Sequence, residues 1–188
     1  MRDDRHPSAP RITRMRTFLA LTPDRDAALG LDDWRARHWP VAGRDVPVQN
    51  LHVTLCFLGD VDERRLERLA TALDEKLVAP LALDVVFDEP GWRADSGVTW
   101  LAASDPPAAL LALGERMRGA AGRAGIRVDK RAFLPHVTLA RRVDHPPPAP
   151  LSTPAVRCRF ERVELYESVL ESGGARYREL DAWPRRRR

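Results

Sequence analysis

Two copies of the run His-Val-Thr-Leu carry the residues best suited to chemistry, one beginning at His52 and the other at His136. A β-strand points successive side chains to opposite faces, so the histidine and the threonine of each copy share one face. An imidazole and a hydroxyl roughly 6 to 7 Å apart along a strand can both reach one bound group the size of a phosphate. Two such strands side by side would surround that group with His52, Thr54, His136 and Thr138.

Two imidazoles and two hydroxyls suit the cleavage of a phosphodiester without a metal ion. That reaction needs a base that takes a proton from the attacking oxygen and an acid that gives one to the leaving oxygen. With an ordinary pKa of about 6.5, one histidine can be neutral while the other is protonated. Threonine hydroxyls can donate to the non-bridging oxygens, whose charge must be stabilised in the transition state. The pattern therefore predicts acid-base chemistry that needs no cofactor.

A repeat of four residues can also arise by chance, because Val, Thr and Leu are common in strands. On the repeat alone, coincidence explains the pattern as well as function does. Function is favoured because both copies fall on predicted strands that turn the histidine away from the core. The remaining histidines, His6, His38 and His145, lie in a polar tail, at a helix end and in a Pro-rich loop, and are expected on the surface.

The segments around the motifs alternate between strands and helices. The sequence predicts a strand at "RTFLAL", a helix from Pro23 to Trp39, and then the first motif strand. The next helix has leucines at spacings of three and four, namely Leu66, Leu69, Leu73 and Leu77. Two strands separated by a turn at Pro90-Gly91, a third helix, the second motif strand and two closing strands complete the order. This order predicts an α+β protein in which two similar sheet-and-helix halves each contribute one motif strand.

The composition of the chain and its pattern of polar and apolar residues limit the class of protein to which it can belong. Residues 1–13 and 185–188 are predicted to be solvated tails, the first polar and unpatterned and the second a run of arginines. Residues 14–184 are expected to form one two-lobed domain, which a 44% hydrophobic chain of 188 residues can build. Cys56 and Cys158 give no disulfide framework, and no apolar run is long enough to cross a bilayer. A cytoplasmic protein without membrane association is therefore expected.

The segments "NLHVTLCFLGDV" and "FLPHVTLARR" resemble the two signature segments of the two-histidine phosphoesterase superfamily. The likeness is strongest to the bacterial and archaeal RNA 2',3'-cyclic phosphodiesterases, also called 2'-5' RNA ligases, and extends over residues 14–184. It implies a bilobal α+β fold with pseudo-twofold symmetry and a cleft between the lobes. It also implies hydrolysis of RNA 2',3'-cyclic phosphate ends to 2'-phosphates, with His52 as proton donor to the leaving oxygen and His136 as the base that activates water. Thr54 and Thr138 would bind the phosphate.

Further site residues follow from the same resemblance. Arg131 and Arg141 match positions where relatives carry arginine and are expected to bind substrate, while Phe133 is expected to stack on a base. Simple strand alternation puts Arg142, and not Arg141, on the face of His136. A bulge or the end of the strand is therefore needed for Arg141 to reach the site.

The chain departs from its relatives at Cys56, where they often have a basic residue. Strand alternation puts Cys56 on the face of His52, where the thiol is expected to be a bystander and not a nucleophile. The expected substrate is an RNA with a 2',3'-cyclic phosphate end or a small cyclic nucleotide. No metal, no cofactor and no obligate protein partner are expected, and the chain is expected to be a monomer.

Three other functions remain open at this point. A metal site at His52 and His136 lacks further ligands at suitable spacing. A non-catalytic RNA-binding module would account for the arginines and aromatic residues, but it would not need both histidines. Reversible joining of tRNA halves through a 2'-5' linkage is the same chemistry run backwards, and the sequence does not separate the two directions.

Overall fold

A computed structural model describes residues 14–129, 131–172 and 174–185 of the chain. The predicted tails, residues 1–13 and 186–188, lie outside the described residues. Arg185 belongs to the predicted basic tail but is described, and its guanidinium forms ion pairs with Asp74 (2.5 Å) and Asp181 (2.7 Å).

Three α-helices occur in this part of the chain, α1 (Arg25–His38), α2 (Glu63–Asp74) and α3 (Ala108–Arg123), and a short 3-10 helix (Val48–Asn50) precedes the first motif. An aspartate caps each of the first two. The carboxylate of Asp24 accepts from the N–H of Ala27, and that of Asp62 accepts from the N–H of Arg65. The predicted apolar stripe is confirmed, since all four of its leucines are buried. Within the described ranges, no helix is long and apolar enough to span a bilayer.

Ten strands accompany the helices in the described residues: β1 (Arg14–Leu21), β2 (Arg44–Asp45), β3 (Val53–Asp62), β4 (Leu83–Phe87), β5 (Glu89–Arg93), β6 (Val98–Ala102), β7 (His136–Arg141), β8 (Val156–Phe160), β9 (Val163–Glu171) and β10 (Gly174–Trp183). The main sheet has the order β10-β9-β1-β3-β7-β6-β5, and β2 pairs with β7. β4 and β8 form a separate two-stranded sheet. All of these pairs are antiparallel.

The two halves of the main sheet meet where Val53 of β3 pairs with Val137 of β7. α2 and α3 pack on β3, whereas α1 packs on β7 and β8. One cluster of buried apolar side chains, extending in sequence from Leu19 to Trp183, draws on both halves. The expected α+β fold is thus confirmed, with one motif strand in each half.

Two predictions about strands are wrong. Pro90 and Gly91 do not form a turn but lie in β5, where they pair with Leu101 and Trp100 of β6. β5 is at the edge of the sheet, where a proline does not interrupt a second ladder. The first of the two predicted closing strands, over "RCRFERVELYESVL", is in fact two strands, because β8 pairs with β4 while β9 joins the main sheet. Alternation along a sequence does not show which sheet a strand enters.

Both motif strands carry an irregularity at the leucine of the motif. The register of β3 with β1 skips Leu55, and that of β7 with β6 skips Leu139. An inserted residue reverses the alternation of the residues that follow it. Accordingly Phe57 is 61% exposed, while Cys56 is 5% exposed and part of the core cluster. The prediction that Cys56 shares the face of His52 is therefore wrong.

Candidate active site

The four motif side chains lie together at the junction of the two half-sheets. The antiparallel pair of valines at the centre of the motifs sets His52 beside Thr138 and Thr54 beside His136. All four residues are partly exposed, while the valines between them are fully buried. The structure thus brings together the two histidines and the two threonines that the sequence singles out.

Each imidazole is oriented by a backbone carbonyl two residues earlier in the chain. Nδ1 of His52 donates to the carbonyl oxygen of Asn50 at 2.7 Å, and Nδ1 of His136 donates to that of Leu134 at 2.7 Å. A proton on Nδ1 leaves Nε2 of the neutral ring as an acceptor. The hydroxyl of Thr54 lies 3.0 Å from Nε2 of His52 and donates to it. Both rings are therefore held with Nε2 available to take up a proton or, once protonated, to release one.

Aromatic side chains from β1 and β10 flank His52. The ring centroid of Phe18 lies 4.9 Å from that of the imidazole, and Tyr177 meets the imidazole edge-on at 5.2 Å. Phe57 and Tyr166 extend the cluster through ring contacts with Phe18 at 6.1 Å and 5.5 Å. The sequence does not identify Phe18, Tyr166 and Tyr177, because they come from strands whose pairing is not visible in it. It does not identify Phe57 because the bulge at Leu55 reverses the alternation along β3.

The surroundings of the two histidines disfavour their charged forms. The pKa of His52 is lowered to about 4, chiefly by burial, and the positive charges of Arg141 and His136 act in the same direction. The pKa of His136 is also lowered, first by burial and then by Arg93 and Arg141. Both imidazoles are therefore mainly neutral near pH 7 in the free protein.

The further substrate-binding residues expected from the sequence have different surroundings. Arg141 acts electrostatically on both histidines, and the irregularity at Leu139 supplies the bulge that its approach requires. Arg131 is exposed and paired with Asp129 at 2.6 Å. Phe133 packs its ring against Gly114 of α3, and among the described residues it makes no ring contact with either histidine. Substrate binding by these residues stays a prediction.

The bulge in β7 is held by Arg35 of α1, a residue that no motif in the sequence marks. Its Nη1 donates to the carbonyl oxygens of Leu139 (2.6 Å) and Val46 (2.8 Å), and its Nη2 pairs with Asp32 at 2.5 Å. The side chain is buried, so it fixes the segment that leads from the second motif histidine to Arg141. An arginine on the apolar face of a predicted helix is the signal that could have identified it.

Replacing Arg35 by methionine is expected to lower the free energy of unfolding by about 3 kcal/mol, because two carbonyls and a carboxylate lose a buried donor. Urea unfolding monitored by circular dichroism measures this change. Arg37→Met is the matched control on the same helix, since Arg37 is exposed and its ion pair with Asp33 lies on the surface. Its effect is expected to stay within about 0.5 kcal/mol. Equal losses in the two variants would contradict the role given to Arg35.

The cysteines are buried and poorly suited to catalysis. Burial raises the pKa of the Cys56 thiol to about 11 and that of Cys158 to about 12. Both are therefore protonated thiols at neutral pH, and neither is an activated nucleophile. In the described part of the chain, no group of three or more His, Cys, Asp or Glu side chains is arranged to hold a metal ion.

A model of the 2'-5' RNA ligase superfamily matches residues 22–170, a span that contains both motifs. The chain belongs to this superfamily. The family expected from the two motifs is thereby confirmed. The match also covers α1 with Arg35, all of β6 and β9 as far as Leu170, so the superfamily relation extends well beyond the motifs.

Individual members of the superfamily are similar over most of the chain. The RNA 2',3'-cyclic phosphodiesterase of Escherichia coli (strain K12) is 34% identical over 171 residues, which cover 89% of this chain and 95% of that protein. The RNA 2',3'-cyclic phosphodiesterase of Thermotoga maritima is 25% identical over 143 residues, covering 72% and 75%. The structure of E. coli LigT in apo form superposes with a TM-score of 0.80 at 31% identity, covering 91% of this chain and 97% of LigT. E. coli LigT complexed with 3'-AMP gives a TM-score of 0.78 at 31% identity, covering 90% and 97%.

Proposed function

We propose that the protein hydrolyses RNA 2',3'-cyclic phosphodiester ends to 2'-phosphate ends by paired histidine acid-base catalysis. The observation that carries this proposal is the antiparallel valine pair, which sets the two His-Thr pairs next to each other on one face of the sheet. The curated relatives that bear the name RNA 2',3'-cyclic phosphodiesterase support it. A purely RNA-binding module would not require two imidazoles that are each held with Nε2 available.

The proposed reaction uses one proton transfer at each histidine. His136 takes a proton from water through Nε2 as the water oxygen attacks phosphorus. The bond from phosphorus to O3' breaks, and His52 gives its Nε2 proton to the departing O3'. The phosphate stays on O2', so the product is a 2'-phosphomonoester. One proton enters the histidine pair and one leaves it, so the pair returns to its original charge.

The side chains beside the histidines would bind the phosphate and the nucleoside. The hydroxyls of Thr54 and Thr138 would donate to the non-bridging oxygens, and the guanidinium of Arg141 would offset their negative charge. The ring of Phe57 is largely exposed next to Phe18, which offers a surface for stacking of the terminal base. One chain supplies all of these groups, so we propose that the monomer is sufficient and that no protein partner is needed.

Ring opening of a nucleoside 2',3'-cyclic phosphate is expected to proceed at the same rate with and without a chelator such as EDTA. The reason is that the two histidines supply both proton transfers and that threonines and an arginine offset the charge. Product analysis by phosphorus NMR or by chromatography should show the 2'-phosphate. Activity that appears only after a divalent ion is added would contradict the proposal, and so would a 3'-phosphate product.

A further inference from the structure

Strands β9 and β10 continue as a two-stranded arm beyond the point where β9 pairs with β1. In the described residues, β9 pairs with β1 from Glu164 to Glu167, whereas its pairing with β10 continues to Glu171 opposite Gly174. Residues 168–171 and 174–177 are called the arm below. The arm has left the ladder with β1, so its position depends on contacts made elsewhere. The proposed hydrolysis gives it no part.

The side chain of Asn50 joins the arm to the segment that leads into β3. Its Nδ2 donates to the carbonyl oxygen of Ala175 at 3.0 Å. The backbone carbonyl of the same asparagine accepts from Nδ1 of His52 at 2.7 Å. Two residues beyond Ala175, Tyr177 meets the His52 imidazole edge-on, with ring centroids 5.2 Å apart. Asn50 therefore holds His52 directly and also holds the arm that packs against it.

A second contact holds the end of the arm against the other half of the molecule. Gly174 has a φ of 118°, a conformation that favours glycine. A Cβ atom at this position would collide with the guanidinium of Arg44, so the arginine lies directly on the glycine backbone. Arg44 is on β2, where it pairs with Arg141 of β7. The arm thus reaches from β9, in the half that contains His52, to β2, in the half that contains His136.

The other histidine is held differently, although the motif is the same. The carbonyl that accepts from His136 belongs to Leu134, whose side chain is 44% exposed and has no group that can donate a hydrogen bond. The ring that meets the imidazole is Trp100 of the neighbouring strand β6, at a centroid distance of 5.9 Å. Asn50 and Leu134 occupy equivalent positions two residues before the histidines, so the difference between them distinguishes the two halves.

We propose that Asn50 is a positioning residue, which keeps the arm closed over His52 and so fixes the direction in which Nε2 of His52 delivers its proton to O3'. The inference rests on the proposed function for the role of His52 as the acid. Without the side-chain amide, Ala175 loses its donor and the arm can move away from the sheet. Tyr177 then no longer packs on the imidazole, and water reaches the ring.

Opening of the arm changes the pKa of His52 without changing the charges around it. Burial is the main reason why this pKa is lowered to about 4. The side chains that face the imidazole from β1, the arm and β7 are Phe18, which is uncharged, and the ionisable Tyr177, His136 and Arg141. Asn50→Ala removes none of them. Because water stabilises the charged imidazole, the pKa of His52 is expected to rise toward 6.5 in this variant.

The test measures the pKa of His52 in the free protein and the reaction in the same variants. An NMR titration of the imidazole Cε1–H signals gives the pKa, and the His52 signal is the one that is absent from His52→Ala. In Asn50→Ala the pKa of His52 is expected to rise, while that of His136 moves far less. On adenosine 2',3'-cyclic phosphate, kcat is expected to fall roughly 10 to 100-fold with a much smaller change in KM. A fall in kcat while the acid holds its proton more tightly reports lost orientation.

Gly174→Ala loosens the arm at its other attachment and is expected to change both quantities in the same direction. The double variant Asn50→Ala/Gly174→Ala is expected to lose little more kcat than the weaker of the two single variants, because both changes open the same arm. Gln49→Ala is the matched control at the exposed neighbouring position and is expected to leave the pKa and kcat unchanged.

An unchanged pKa of His52 in Asn50→Ala would overturn the inference even if kcat fell, because the arm would then not cover the imidazole. Losses of kcat that multiply in the double variant would also overturn it, since the two residues would then act separately. A wild-type protein that does not open the cyclic phosphate would overturn the proposed function, and the titration would still decide whether Asn50 keeps the arm closed over His52.

Discussion

Replacing either His52 or His136 by alanine is expected to lower kcat on a nucleoside 2',3'-cyclic phosphate by roughly 10² to 10⁴-fold, the usual contribution of a positioned acid or base. Among the described residues beside either histidine, none can take over its proton transfer. The threonine hydroxyls beside them do not ionise near neutral pH, and the thiol of Cys56 lies in the core. Steady-state assays on purified variants measure the loss.

Binding measured alongside turnover separates catalysis from simple recognition. The affinity of either alanine variant for the 2'-phosphate product, followed by calorimetry, is expected to fall far less than kcat, since the threonines, Arg141 and the aromatic rings remain. His145→Ala is the control, because this exposed histidine of the Pro-rich loop lies outside the site. Near-normal turnover in either His52→Ala or His136→Ala would exclude the paired acid-base mechanism. A fall in affinity as large as the fall in kcat would favour the RNA-binding alternative.

The sequence predicts the fold class, the three helices and the two motif strands because each depends on a local signal. The leucine spacing of α2 and the alternation within the motifs arise from the periodicity of a single element. The side chains that complete the site depend on which strands pair. Phe18, Tyr177 and Trp100 come from strands far apart in sequence and meet the histidines only through the order of the main sheet.

The error at Cys56 shows the physical limit of strand alternation. A bulge needs no distinctive residue, and here it falls on an ordinary leucine in each motif. The residue after each bulge is drawn into the core, which buries Cys56 and Ala140. One residue further on, Phe57 becomes exposed and Arg141 comes within electrostatic reach of the histidines. The repeat of the motif therefore predicts the equivalence of the halves, but it does not predict the bulge that both halves share.

The pH dependence of kcat/KM is expected to differ from that of kcat, because a bound phosphate changes the charge around the histidines. The productive state holds one proton on the pair, so both profiles should be bell-shaped, with apparent pKa values that belong to the pair. In the free protein, burial and Arg141 lower the pKa of both His52 and His136. The basic limb of kcat/KM, which reports the free enzyme, is therefore expected below pH 6.5, the ordinary pKa of histidine.

A bound phosphate anion favours the cationic imidazole and raises its pKa, so the basic limb of kcat is expected at a higher pH. In the pH range between the basic limb of kcat/KM and the basic limb of kcat, kcat stays level while kcat/KM falls about tenfold per pH unit. KM therefore rises by the same factor. If the basic limbs of kcat and of kcat/KM fell at the same pH, a bound phosphate would not raise the pKa of the histidines, and this prediction would be contradicted. Arg141→Met removes a positive charge and is expected to move the basic limb of kcat/KM upward, whereas Arg157→Met, an exposed arginine on β8, is expected to leave it in place.

The residual activities of the single variants assign the two roles. When His136 is replaced, His52 alone titrates, and it must keep its proton to protonate O3', so the acidic limb should disappear and the basic limb remain. When His52 is replaced, His136 must be neutral to accept a proton from water, so the basic limb should disappear and the acidic limb remain. The opposite pattern would make His136 the acid and His52 the base. A complete bell in both variants would show that other groups titrate, because one remaining imidazole can supply only one limb.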